Sequence, residues 1–164
     1  MQIDTTLLPT RGNDAAEILR NDHQVIKSLL TELTTASEPQ RRQVMEQLKG
    51  VLTIHNATEE NLVYPALNKV AGSKVEADHL YHETAEADVL LFELDSMLKE
   101  SKSADFVAKA EKFQKAVLAH IDEEEQKALP RLHNNADPEK AESLTESVRE
   151  FRKALHFETT MTSG

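Results

Sequence analysis

Two stretches of the chain repeat a pattern that could do chemistry. "HNATEENLVYPAL" starts at His55 and "HIDEEEQKALPRL" starts at His120, 65 residues later. Laid on one another they share His, Glu four later, Glu five later, Pro ten later and Leu twelve later. On a helix, residues four apart stack on one face with Cβ atoms about 6 Å apart, so His55 and Glu59 can reach one point, and so can His120 and Glu124. Both pairs continue apolar stripes and are expected to face a core. An ionised carboxylate there needs a positive partner, because desolvation costs several kcal/mol. The lysines and arginines mostly lie off these faces. Imidazole and carboxylate together suit a divalent or trivalent ion such as iron, manganese or zinc.

Five helices must position these groups. The first is capped by Asn13 or Asp14 and carries Leu19, His23, Ile26, Leu30 and Leu33 on one stripe. The second spans about 38–69, with Ser37 as its cap and Pro39 in its first turn. The third spans about 74–100. Counting back from Leu90, Leu94 and Leu98 puts His79 and Glu83 on its inner face and His82 towards the flank. The fourth spans about 104–133, and a last amphipathic helix spans about 138–157 on Leu144, Val148, Phe151 and Leu155. Pro65 and Pro130 should kink or end their helices by removing the bond to the carbonyl of Asn61 or Gln126. Short connections imply an all-α, antiparallel up-down-up-down four-helix bundle with an additional C-terminal helix. The expected division is a flexible tail over 1–12, a bundle over 13–135, and a C-terminal helix and tail over 136–164 packed on the same domain. Asp22-His23 and Asp78-His79 suggest that the two hairpins are an internal duplication.

Each long helix thus offers an inward histidine, and three add a glutamate at i+4. Four histidines and two or three glutamates exceed the needs of one ion and suit two ions bridged by carboxylates. The expected ligands are His23, His55, Glu59, His79, Glu83, His120 and Glu124. His82 competes with His79. Glu60 and Glu125 sit on the edge of the face, where solvent is the expected surrounding, with an acceptor role for a ring N–H or a third carboxylate as alternatives. His133 and His156 are expected to be ordinary. Packing is expected of Tyr64 and Tyr81, with a hydrogen bond or an electron as a further role.

Composition bounds the rest. The 164 residues suit one domain, and 39% apolar residues with four Gly and no Trp suit helices. A formal charge of −10 argues against a nucleic-acid or anionic-membrane surface and favours cations. No stretch reaches the roughly 18 apolar residues of a membrane span, and the N-terminus shows no signal-peptide pattern. Cysteine is absent, which removes disulfides, thiolate ligands and iron–sulfur clusters. A cytoplasmic location is the default expectation.

His23, His55-Asn-Ala-Thr-Glu59, His79 or His82, and His120-Ile-Asp-Glu-Glu124, with the trailing "YPAL" and "LPRL", resemble the hemerythrin-like (HHE cation-binding) domains over about residues 14–133. The resemblance implies two non-haem iron ions bridged by Glu59, Glu124 and an oxo or hydroxo group, capped by the histidines, with manganese or zinc as substitutes. It implies a protein that binds or reduces a small oxidant (O₂, H₂O₂ or NO), and places it with oxygen binding and oxidative stress. Any turnover would be that of a di-iron oxidoreductase of the peroxidase or catalase type. An iron store, buffer or sensor, and a metal-free interaction bundle, are the alternatives. The third helix departs from the HxxxH of oxygen carriers, since that spacing gives His79 and Glu83. One imidazole fewer and one carboxylate more would favour Fe(III) over reversible oxygen carriage. Matched strictly by its leucines, helix three sets Thr84 opposite His23.

Overall fold

The computed structural model describes Leu8 and residues 10–161, apart from 71 and 101–103, and side chains only as far as Leu155. The tail expected over 1–12 therefore lies mostly outside the described residues. All described elements are helical: α1 Ala15–Thr35, α2 Glu38–Thr58, a π-helical turn Glu59–Val63, α3 Tyr64–Asn68, α4 Lys74–Lys99, α5 Phe106–Glu123, a second π turn Glu124–Ala128, α6 Leu129–Asn135 and α7 Pro138–Met161. Asp14 caps α1, its carboxylate accepting from the Glu17 N–H at 2.8 Å. Ser37 caps α2, and its N–H donates to the Gln40 side chain at 3.2 Å.

α1 packs on α2 and on α5, α4 packs on α5 and on α2, and the four close into the expected antiparallel bundle. α7 lies across α1, α2 and the first π turn. The core has two apolar ends. Ile26, Leu30, Leu48, Leu94, Phe106 and Phe113 belong to one; Leu19, Val63, Leu67, Leu80, Leu129 and Leu132 belong to the other. A polar layer separates them, built from His23, His55, Glu59, Thr84, His120 and Glu124, all buried.

Pro65 and Pro130 each follow a π turn. Neither ends its helix sharply. The turn before each widens instead, so that the Tyr64 N–H bonds to the Glu59 carbonyl and the Leu129 N–H to the Glu124 carbonyl. A proline lacks the N–H for an ordinary i−4 bond and crowds that carbonyl, and the wide turn relieves both problems. Each repeat therefore starts its π turn at its glutamate.

Candidate metal centre

Three imidazoles point Nε2 inward at two carboxylates. His55 Nε2 lies 3.1 Å from Glu59 Oε1, and His120 Nε2 lies 3.2 Å from Glu124 Oε1. His23 sits between the two glutamates, its Nε2 3.3 Å from Glu124 Oε2 and 3.9 Å from Glu59 Oε1. The i+4 pairing read from the sequence thus forms in both repeats, and α1 adds its histidine.

An acid fixes each outer ring nitrogen. Asp22 meets His55 Nδ1 at 3.1 Å, Glu83 meets His120 Nδ1 at 2.8 Å and Glu125 meets His23 Nδ1 at 2.9 Å. Such partners orient an imidazole and make its other nitrogen a better donor to a metal. Asp22 is itself held by Arg152 of α7, which donates from Nη1 at 2.8 Å and from Nη2, while its Nε donates to the Thr58 hydroxyl at 3.2 Å. Both Asp22 and Arg152 are buried. The Tyr64 hydroxyl lies in the middle, 2.6 Å from Glu124 Oε1, 3.0 Å from Glu59 Oε2 and 3.1 Å from His120 Nε2. Its single proton can serve one carboxylate.

The charges match this geometry. Burial opposes protonation of the histidines, yet Glu124 and Glu59 raise His23, Glu59 and Asp22 raise His55 to about 10, and Glu124 raises His120 to about 9. Burial favours neutral Glu124, but His120 and His23 hold it ionised. Burial and the two carboxylates push the Tyr64 phenol up and keep it protonated. In the metal-free protein, protons on imidazoles thus supply the positive charge that the carboxylates require.

Two buried atoms of this layer still lack a well-formed hydrogen bond. His23 Nε2 and Glu124 Oε2 have no hydrogen-bond partner, although they face each other. Buried polar atoms are rarely left so, and an imidazole nitrogen beside a carboxylate oxygen is a donor pair that a cation satisfies. His23, His55, Glu59 and Glu124 offer donor atoms within 4.8 Å of one another. The donor set fits a metal ion.

Helix α4 places the expected ligands His79 and Glu83 in a second group with Glu123, whose donor atoms also lie within 4.8 Å of one another. His79 is half-exposed and pairs with Glu83 at 3.2 Å and Glu123 at 3.4 Å, outside the buried layer. His82 is exposed and pairs with Glu86. Glu83 reaches the layer only through His120 Nδ1. Thr84 is the residue of α4 that enters it. Glu125 accepts from His23 rather than merely facing solvent, whereas Glu60 is exposed. His133 is exposed 3.9 Å from Asp14, and the His156 side chain lies outside the described residues. Tyr81 donates to the Glu60 carbonyl at 2.9 Å.

Sequence reasoning passed over Asp22 and Arg152 as parts of the centre and expected packing of Tyr64, with a hydrogen bond only as a further role. Arg152 left a signal, since it sits four residues after Val148 on the apolar stripe of α7. Tyr64 left a fainter one as the aromatic where the second repeat has Leu129.

Known proteins agree with this architecture. The model of the hemerythrin HHE cation-binding domain matches residues 14–132. The chain belongs to that family. An uncharacterized hemerythrin-like protein of Schizosaccharomyces pombe is 29% identical over 82% of this chain and 64% of its own length. A DNA nickase of Nostoc sp. is 28% identical over 88% of this chain and 41% of its own length. The chain thus spans less than two thirds of either curated relative. The crystal structure of a hemerythrin HHE cation-binding domain-containing protein of Mycobacterium kansasii superposes with a TM-score of 0.71 at 25% identity, covering 90% of this chain and 92% of that one. Among the described residues, no helix is long and apolar enough to cross a membrane.

Proposed function

We propose that the buried layer holds non-haem iron, two ions per chain, and that the protein binds or reduces a small oxidant: O₂, H₂O₂ or NO. The observation that carries this reading is the pair of unsatisfied buried atoms, His23 Nε2 and Glu124 Oε2, inside a set of three oriented imidazoles and two carboxylates. His23, His55, Glu59, His120 and Glu124 would hold the metal, with Tyr64 within reach. Five such donors exceed the three that a single catalytic zinc takes from its protein, and iron would supply one-electron redox chemistry. The chain itself orients the rings through Asp22, Glu83 and Glu125, keeps a proton on the Tyr64 hydroxyl, and shields the layer from water between two apolar cores. This proposal gives Glu83 an orienting role and leaves His79 and His82 at the surface. A nucleic-acid partner is no part of it, because a formal charge of −10 repels phosphate.

The test is metal content per chain and the visible spectrum, for wild type and for Glu59→Ala/Glu124→Ala. Two irons per chain and absorption bands lost in the double variant are expected. Failure of wild type to take up Fe(II) under anaerobic conditions would sink the reading. A store, buffer or sensor is the second reading, favoured by the proton-filled metal-free layer, which ties metal uptake to proton release. Tight metal binding with negligible peroxide or nitric oxide chemistry would select it.

A further inference from the structure

A second group of donor atoms lies outside the buried layer, at the seam of α4 and α5. His79 Nε2 is 3.2 Å from Glu83 Oε1 and 3.4 Å from Glu123 Oε2, and the three residues offer donor atoms within 4.8 Å of one another. His79 and Glu83 stand four apart on α4, so their side chains stack on one face. Glu123 is the last residue of α5, immediately before the second π turn. Nitrogen and oxygen atoms held at about 2.0–2.2 Å around one tetrahedral ion stand about 3.4 Å from each other. The spacing of His79 with its two carboxylates is therefore that of ligands sharing an ion.

The group is held in place by its surroundings. The other oxygen of Glu83 meets His120 Nδ1 at 2.8 Å, which fixes the carboxylate and leaves Oε1 towards His79. The Glu83 and Glu123 side chains are 22% and 23% exposed against 50% for His79, so the carboxylates form the inner wall and the imidazole the side nearer water. Lys127 reaches only the other oxygen of Glu123, at 3.4 Å, and leaves Oε2 to the group. His82 and Glu86 give a contrast close by on the same helix. They make the same i+4 pair at 3.2 Å, but both are exposed and no third donor joins them among the described residues.

The donor types select the ion. Two carboxylates balance a divalent charge. The imidazole nitrogen disfavours calcium and magnesium, which take oxygen, and suits zinc or ferrous iron. Three protein ligands leave a position for water.

We propose that His79, Glu83 and Glu123 form a second, peripheral cation site that takes a divalent transition-metal ion from solvent at the α4–α5 seam. It is separate from the buried layer and does not rest on the reading given for that layer. Glu83 joins the two places, one oxygen to each.

The full, untagged chain, stripped of metal, tests the site with Zn²⁺ as the probe, by calorimetric titration and by metal analysis after gel filtration. His79→Ala and Glu123→Gln alter partly exposed side chains and spare the apolar cores, and His82→Ala serves as the control. Wild type is expected to take up one Zn²⁺ per chain more than His79→Ala. Glu123→Gln should weaken that step about tenfold or more, His82→Ala should match wild type, and excess Ca²⁺ should leave the step in place. Equal uptake by wild type and His79→Ala would overturn the site, as would an equal loss in His82→Ala. Displacement of the zinc by calcium would overturn its assignment to a transition metal. Ions in the buried layer cancel in the comparison, so the result stands whether or not that layer holds metal.

Discussion

The α1–α2 hairpin and the α4–α5 hairpin use the same device to aim a histidine but anchor it to different depths. Asp22, which aims His55, is buried and gripped by an arginine from α7. Glu83, which aims His120, is part-exposed and shares its carboxylate with His79 at the surface. The first hairpin and the segment after it also supply His23 and Tyr64 to the layer, whereas the matching positions of the second half are Thr84 and the apolar Leu129. A doubled framework thus carries one fully equipped half and one pared-down half. Burial of the orienting acid, not its presence, separates them.

The widest gap between the halves should appear when the two acids are removed. Asp22→Ala leaves Arg152 buried without its partner and is expected to cost about 3–5 kcal/mol in denaturant unfolding. Glu83→Ala removes a hydrogen bond near solvent and should cost about 1 kcal/mol. Equal costs would break the comparison. Combining Asp22→Ala with Arg152→Met should recover much of the loss, since no buried charge is then stranded.

pH sharpens the contrast further. Burial resists charge on His55 and His120, but their acidic neighbours raise them to about 10 and about 9. A folded-state value above the unfolded value of about 6.5 gives stabilisation that is complete below that pH and lost as pH rises through the folded value. Metal-stripped protein should therefore lose stability from neutral pH upward, the share of His120 going before that of His55. Metal competes with the same protons, so its affinity should rise with pH. Thermal melts across that range, with and without metal, measure both trends, and a flat profile for stripped protein would contradict them. The smallest effect is expected from Tyr64→Phe, which makes the halves more alike. It should cost the metal-free protein about 1 kcal/mol, read by denaturant unfolding, with the fold unchanged.

The bundle was legible because long amphipathic stripes, the caps at Asp14 and Ser37, and the repeated His-x-x-x-Glu all lie within single helices. The register of α4 was harder to read. Val75, Val89 and Phe92 are exposed there, which blurs the apolar stripe, and His79 and His82 offered themselves as ligands. Only the match of Leu90, Leu91 and Leu94 to α1 pointed to Thr84. The partners of the imidazoles were out of reach for another reason. Glu125 meets His23 across 102 residues of chain and Arg152 meets Asp22 across 130. No local pattern encodes such pairs; packing of whole helices brings them together.

The two π turns bear on timing. Each puts a bridging candidate, Glu59 or Glu124, at the start of a widened stretch that ends against a proline with no N–H to offer. Local opening of such a turn takes less than unfolding of the whole bundle. Either carboxylate can then swing aside on its own short segment while the apolar cores above and below stay closed. If the layer holds metal as proposed, release and capture of the ion would run on the clock of local opening, and amide hydrogen exchange confined to residues 59–63 and 124–128 is where that clock would be read.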